Sequence, residues 1–287
     1  MSAIHTPSSL VRAAARALAA AGLAAGLAAG CAPARTTFAR PPAAAATFDR
    51  AASDAKAVEI ADQLVAAAGG MERWNAAKQL QWSFTVTTGA STPAVEYDEA
   101  WDRWNGRQHS ALHVPQGKVV VMRDLYGEKG AAFMQTGSQP QVVGTGELDK
   151  ALTGARDQWQ FSTALVFMPF LLESPGAKLV YAGEGKDAKD RMLDDLRVTF
   201  EKDPTRPATY HVLVDRETHQ IARIDIIRPG QPETMRAGYV PDTVVDVGGM
   251  KLATVFHNFG VKAEVITFSQ LSAAAEPDDN LFVPSVL

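Results

Sequence analysis

The sequence is poor in several features that common classes of protein require. Its 287 residues contain a single cysteine, Cys31, which excludes an intrachain disulfide and any metal site built from several cysteines. No apolar run reaches the roughly 18 residues needed to span a bilayer. Charged residues make up 21% of the chain and the formal net charge is −4, so the concentrated basic face of a nucleic-acid-binding protein is not expected. We therefore expect neither a spanning helix nor a nucleic-acid partner.

Motifs that carry chemistry are also scarce. The G-x-S-x-G pattern of a nucleophile elbow does not occur, and the S-x-x-K match from Ser53 to Lys56 lacks the later SDN and KTG motifs of penicillin-recognising enzymes. His109 and His113 are the only candidate metal cluster, and no Glu follows His109 as the metalloprotease pattern requires. The sequence thus predicts no catalytic residue, no metal site and no cofactor, and we do not expect an enzyme.

The first thirty residues have the pattern of a secretory signal. Residues 1–16 contain Arg12 and Arg16 and no acid, and residues 17–30 are fourteen consecutive Ala, Leu and Gly. A helix of that stretch would be about 21 Å long, which is shorter than the bilayer core of about 30 Å. A basic start followed by a short apolar run and small residues is typical of a removed signal peptide. Its loss would change the formal net charge from −4 to −6.

The position of Cys31 is informative. Leu27-Ala28-Ala29-Gly30 precedes it and resembles the lipobox of bacterial lipoproteins, although the usual box has Leu three residues before the cysteine, where Ala28 stands here. The resemblance implies that Cys31 carries acyl chains such as palmitate and becomes the first mature residue. Ala32, in place of Asp, then favours the periplasmic face of the outer membrane. The alternative is an ordinary signal peptide with an incidental cysteine.

Three segments follow from this pattern. Residues 1–30 are predicted to be the signal peptide, and residues 31–52 a lipidated cysteine with a flexible Ala/Pro tether, because this composition cannot bury enough surface to fold. Residues 53–287 are predicted to form one domain. We expect a monomer whose membrane partner is reached through the lipid anchor.

The domain begins with helical patterns and continues as strands. Helices are predicted over 54–68 and 71–78, the second anchored by Trp74, and strict alternation over 80–87 predicts a strand. Short turns between the later segments indicate an antiparallel sheet. Further strands are predicted over 95–104, 107–114, 118–126, 130–136, 178–183, 193–202, 210–215, 221–228, 235–240, 243–247, 251–259 and 263–270.

One segment interrupts the strands. Residues 146–173 have apolar residues at helical spacing, and Gly154 and Pro169 are predicted to divide them into two or three short helices. An apolar helical insertion must pack on the concave face of the sheet, either as a cap on the core or as a lid over a cavity. The predicted cavity-lining residues are Trp82, Phe84, Val86, Trp101, Phe133, Leu165, Phe167, Phe170 and Phe200.

Short motifs resemble a known family. Gly69-Gly70 followed by Trp74, the run Val214–Thr218 before Ile221, and Val247–Leu252 are similar to motifs of bacterial outer-membrane lipoprotein-sorting-like proteins, although Ala253 replaces their usual Pro. The resemblance covers about residues 54–287. It implies an α+β, mainly β fold: a large antiparallel unclosed half-barrel with an N-terminal helix and a helical insertion covering its concave face. It also implies that acyl chains bind in the half-barrel without chemistry.

The expected function follows from the anchor and the fold. We expect a membrane-anchored lipoprotein that binds acyl chains or another apolar ligand, and that helps to localise lipoproteins or lipids. Two alternatives stay open at this point: a structural or interaction lipoprotein without a ligand cavity, and an envelope hydrolase.

The lipid anchor is directly testable. Wild-type protein is expected to partition into the detergent phase, because two or more acyl chains hold a protein stably on a membrane whereas one holds it only marginally. Cys31→Ser should stay in the aqueous phase or remain unprocessed. Detergent partitioning and the mass of the mature N-terminus measure both; equal partitioning of the two proteins would show that Cys31 is not an anchor.

Overall fold

The computed structural model describes residues 48–89, 92–126, 129–137, 139–200, 206–261 and 263–283. The predicted signal peptide, Cys31 and most of the predicted tether lie outside these residues. Residues 48–52 of the predicted tether are described, and Arg50–Ala52 form a 3-10 turn against the first helix, where Arg50 pairs with Asp62 at 2.7 Å. Within the described ranges, no helix combines the length and the apolar character needed to cross a membrane.

Four α-helices and thirteen strands occur in the described part of the chain. The helices are α1 (Ala55–Ala67), α2 (Met71–Ala76), α3 (Thr145–Val166) and α4 (Met168–Leu171). The strands are β1 (Gln79–Thr88), β2 (Val95–Asp102), β3 (Arg107–Val114), β4 (Gly117–Asp124), β5 (Gly130–Thr136), β6 (Gln139–Val142), β7 (Ala177–Lys186), β8 (Met192–Phe200), β9 (Thr209–Asp215), β10 (Ile221–Ile227), β11 (Ala237–Val247), β12 (Met250–Asn258) and β13 (Glu264–Ala274).

All the strands belong to one antiparallel sheet that does not close on itself. Its order is β6-β5-β4-β3-β2-β1-β13-β12-β11-β10-β9-β8-β7, so each strand pairs with its neighbour in sequence except where β1 pairs with β13. Strands β6 and β7 follow one another along the chain but lie at opposite edges of the sheet. Helices α3 and α4 form the connection between these edges and cross the concave face.

The helices bury their apolar sides on that concave face. Trp74 of α2 stacks on Phe170 of α4 with ring centroids 5.0 Å apart, and Phe167, between α3 and α4, meets the ring of Trp82 on β1 at 5.2 Å. Further along α3, Trp159 packs edge-on against Trp101 of β2 at 5.2 Å. Each of these aromatic pairs contributes about 0.5–1.5 kcal/mol beyond the burial of its area, and together they fix α3 and α4 to the sheet.

The structure confirms the mainly β, unclosed half-barrel fold and corrects three details. Helix α3 runs without a break through Gly154, because packing of its apolar side outweighs the cost of about 1 kcal/mol for one interior glycine. The segments 235–240 and 243–247, predicted as two strands, belong to the single strand β11, in which Thr243 adopts a left-handed φ of +43°. Strand β6 was not predicted, since it has only four residues and contains Pro140.

Gly69 and Gly154 give a matched test of the fold. Gly69 has a φ of +113°, and a Cβ there would overlap the carbonyl oxygen of Gly249 in the β11–β12 turn. We expect Gly69→Ala to lower the free energy of unfolding by about 2 kcal/mol or more. Gly154→Ala, where the added Cβ meets no atom within 4 Å, should raise it by about 0.5–1 kcal/mol. Urea unfolding of both variants measures this, and equal stabilities would contradict the close approach of the two turns.

Candidate ligand cavity

A cavity of about 860 Å³ lies between α3 and the concave face of the sheet. Its position follows from the strand pattern, because alternation turns Val119 and Val121 of β4 towards α3 and Val120 away from it. Ala151 and Ala155, one turn apart on α3, face these valines. Their short side chains leave room between helix and sheet. The apolar lining consists of Val86, Tyr97, Leu112, Val119, Val121, Ala151, Ala155, Phe161, Ala208, Tyr210 and Ile226.

A buried arginine lies beside the cavity in the aromatic core. Arg206 is 8% exposed, and its guanidinium lies 4.9 Å from the ring centroid of Trp159 and 5.6 Å from those of Trp101 and Phe200. The next two residues of the chain, Pro207 and Ala208, line the cavity. Residues 206–208 therefore connect the wall of the cavity to the rings packed around Arg206.

The predicted lining residues occupy different parts of the protein. Val86 lies on the cavity wall, and Trp101 and Phe200 surround Arg206. Phe133 lies directly opposite Val120, so it faces away from the cavity on the other side of the sheet. The other five pack in the core between the helices and the sheet: Trp82, Phe84, Leu165, Phe167 and Phe170.

Most of the apolar lining residues that sequence reasoning missed are small or aliphatic; the three aromatic ones are Tyr97, Phe161 and Tyr210. From the sequence, large rings are expected to mark a cavity, whereas most of the predicted rings fill the core. The space is bordered instead by short side chains, including Val119, Val121, Ala151 and Ala155. The run Val119-Val120-Val121 and the i, i+4 alanines were visible in the sequence. Neither pattern identifies a cavity until the face of β4 that meets α3 is known.

A buried polar cluster adjoins the cavity wall. Glu99 is 3% exposed and accepts hydrogen bonds from Ser110 Oγ at 2.9 Å and Gln108 Nε2 at 3.2 Å. Burial raises the pKa of Glu99 to about 8, although the two hydrogen bonds and the positive charge of Arg123 oppose the rise. The Gln108 amide also donates to the carbonyl oxygen of Ala155 on α3 at 3.0 Å. The cluster thereby joins β2 and β3 to the helix above the cavity.

Charged side chains surround the mouth of the cavity. Lys150 and Glu147 pair at 3.1 Å, and Arg156 and Asp157 approach to 3.7 Å. Burial raises the pKa of Asp157, and the charges of Arg156 and Arg228 oppose that rise. The remaining charged lining residues are Asp149, which is exposed, and Arg228, which is half-buried.

The histidines lie elsewhere. On the opposite face of the sheet, Glu96, Asp98 and His113 offer three potential metal ligands within 4.8 Å of one another, whereas His109 is not part of the group. Lys118 already donates to Asp98 Oδ2 at 2.9 Å, and His113 Nε2 lies 2.7 Å from the same oxygen. Hydrogen bonds from Lys118, His113 and Ser83 outweigh the effect of burial and lower the pKa of Asp98 to about 2. An ion-pair network therefore occupies the place a metal would take.

The same group does not form a nucleophilic triad. Ser83 Oγ donates to Asp98 Oδ1 at 2.8 Å, while His113 contacts the other oxygen of that carboxylate. A serine nucleophile requires its hydroxyl to meet the imidazole, which then meets the carboxylate. Here the carboxylate lies between the two other groups.

A second, smaller cavity of about 270 Å³ lies near α1 and α4. His219 and Thr243 line it, and both have left-handed backbone, with φ of +54° and +43°. His219 is half-buried in this wall and lies in the loop of the hairpin that joins β9 to β10.

Comparisons with known proteins give matches among solved structures. No protein-family model and no curated protein matches the chain. It is similar to a LolA superfamily protein from Nitrosomonas europaea, with 11% identity and a TM-score of 0.47 over 79% of this chain and 96% of that one. It is also similar to a DUF1329 family protein from Desulfovibrio piger, with 12% identity and a TM-score of 0.46 over 80% and 98% of the two chains. A protein described as an outer membrane lipoprotein-sorting protein domain from Vibrio parahaemolyticus matches with 10% identity and a TM-score of 0.45 over 79% and 96%.

The raised pKa of Glu99 makes stability depend on pH. The folded state keeps the Glu99 proton up to about pH 8, whereas the unfolded state loses it near 4.5. Folding therefore loses stability as pH rises between these values, by at most about 1.4 kcal/mol per pH unit, and the loss is complete above pH 8. Glu99→Gln should remove this loss. The free energy of unfolding of the variant minus that of wild type should therefore increase from pH 5 to pH 8. Urea unfolding at both pH values measures the difference; parallel pH profiles would contradict a protonated Glu99.

Proposed function

We propose that this protein binds acyl chains, or another elongated apolar ligand, in the cavity between α3 and the sheet. The observation that carries the proposal is the cavity itself, with about 860 Å³ of space and a wall made mainly of Val, Leu, Ile, Ala, Phe and Tyr side chains. Cavities that bind small molecules are commonly about 300–1,000 Å³ and mostly apolar. Its presence disfavours the alternative of a structural lipoprotein with a solid core.

The lining favours a hydrocarbon ligand. Each methylene that leaves water for such a wall contributes about 0.8 kcal/mol, so a long chain can bind without any directed contact. Val119, Val121 and Phe161 offer no hydrogen bond to a polar ligand at the places where their side chains form the wall. The polar groups lie at the mouth and in the Glu99 cluster.

The composition of the lining favours binding over catalysis. Neither histidine nor cysteine is among the described residues that line the cavity, and its one serine, Ser110, donates its hydroxyl to Glu99. Because burial raises the pKa of Glu99 to about 8, this carboxyl group is protonated at neutral pH and does not act as a general base on the hydroxyl. We infer a binding protein and not a hydrolase.

The cellular setting is part of the proposal. A lipid on Cys31, followed by a tether of residues 32–47, would hold the start of the domain within about 53 Å of the bilayer, since residues 48–52 already pack on the domain. We propose that the protein acts as a monomer on the periplasmic face of the outer membrane. A short tether favours local reception of lipids or lipoproteins over transport between membranes.

Filling the cavity should abolish binding. Ala155 faces Val119 and Val121 inside the cavity, so Ala155→Trp would place an indole in the space that the chain would take. With the full chain carrying Cys31→Ala, palmitic acid is expected to displace a fluorescent fatty acid from the unfilled protein. The Ala155→Trp variant should bind at least tenfold more weakly, because most of the buried apolar area is lost.

Ala66→Trp is the matched control, since Ala66 is exposed on α1 and does not line the cavity. It should bind as the unfilled protein does. Circular dichroism and urea unfolding identify a variant that has lost its fold. Absence of displacement from the unfilled protein, or equal affinity in the Ala155→Trp variant, would overturn the proposal.

A further inference from the structure

Arg228 differs from the other charged residues of the cavity. It follows β10 directly, lines the mouth and is half-buried. Among the described residues its guanidinium makes no hydrogen bond and no ion pair. By contrast, Lys150 and Arg156 each have a carboxylate within 4 Å, and Asp149 is exposed to water.

The charge of Arg228 acts on two groups beside the cavity. It opposes the rise in the pKa of Asp157 on α3, and it also opposes the rise in the pKa of Tyr239, whose ring is fully buried against Phe161. The guanidinium therefore acts on both α3 and the sheet. A partly buried cation without a partner is unfavourable, because burial removes water that its five N–H donors would otherwise bond.

The position of Arg228 beside the apolar wall indicates which group of a ligand would bind its guanidinium. Ile226, two residues earlier, lines the cavity on the same face as Arg228, about 7 Å along the chain. A hydrocarbon chain lying along Ile226, Val119 and Val121 would bring its end group to the guanidinium. Asp157 competes for this charge only weakly, because Arg156 already lies beside it.

We propose that the ligand is an acyl chain ending in an anionic group, a carboxylate or a phosphate, and that Arg228 binds this group at the mouth of the cavity. The planar guanidinium can donate two parallel hydrogen bonds to either oxyanion. This inference rests on the proposed function, since it requires the chain to occupy the cavity. It adds that the cavity distinguishes ligands by the charge of their head group.

The test compares ligands that share one chain. With the full chain carrying Cys31→Ala at pH 7.5, palmitic acid and hexadecanol compete separately with a fluorescent fatty alcohol. Palmitic acid is expected to bind about tenfold or more tightly than hexadecanol, because hydrogen bonds to a charged group outweigh those to a neutral one. Palmitoyl lysophosphatidic acid supplies the phosphate arm, and its ratio to palmitic acid identifies the preferred anion, a free fatty acid or a phospholipid head group.

Arg228→Gln should lower the affinity for both anionic ligands to that for hexadecanol and leave hexadecanol unchanged. Arg228→Lys, which keeps the charge but not the paired donors, should retain part of the preference. Arg197→Gln is the matched control, because Arg197 pairs with the exposed Glu233 and does not line the cavity. Unchanged binding of hexadecanol shows that a variant is folded.

The outcomes distinguish the role of Arg228 from the binding of an apolar ligand in the cavity. Equal binding of the acid and the alcohol by wild type, or a preference that survives in Arg228→Gln, overturns the role of Arg228 and leaves the apolar cavity standing. Binding of none of the ligands overturns the proposed function as well. If Arg228→Gln does not fold, the acid-to-alcohol ratio of wild type and of Arg228→Lys decides.

Discussion

The pairing of β1 with β13 determines the form of the whole sheet. It runs from Gln79 opposite Ala274 to Thr88 opposite Glu264 and joins the two halves of the chain in one sheet. The strands then extend outwards in both directions, so that β6 and β7 become opposite edges. A flat sheet of thirteen strands would be about 58 Å wide, whereas the 22 residues of α3 span about 33 Å. The curvature of the sheet around the helix brings its two edges within reach of this connection.

The cavity is a consequence of that crossing. Towards its C-terminal end α3 is held close to the sheet by Trp159 and by the rings around Phe167, while its N-terminal half presents Ala151 and Ala155. The helix thus fills the half-barrel at one end and leaves space at the other. The charged residues of the N-terminal half lie at the opening of that space, which places an apolar interior next to a polar mouth.

Much of the fold could be predicted because it depends on local patterns. Alternation over 80–87 and its repetitions identified the strands, and the motif of Gly69, Gly70 and Trp74 identified the helical opening. Features that depend on distant contacts were missed. Helix α3 continues through Gly154 because its other residues pack on the sheet, and β6 exists because β5 offers an edge to a four-residue segment.

The site was harder to predict than the fold for the same reason. Alternation along a strand shows which residues share a face of the sheet. Only the packing of α3 determines which residues of the concave face line the cavity and which are buried in the core. Trp82 and Val86 share one face of β1, yet Trp82 is covered by Phe167 while Val86 borders the cavity. Arg228 directly follows the last residue of its strand, and its significance depends on the partners that it lacks.

The proposed ligand is an acyl chain that lies in the space under α3. A crystal structure of the protein with palmitic acid brominated at its terminal carbon tests this most directly, because anomalous scattering locates the bromine without reference to the protein coordinates. We expect a bromine peak between α3 and Val119 or Val121, with the carboxylate at the mouth. A bromine bound outside this space, with the cavity holding only water, would contradict it.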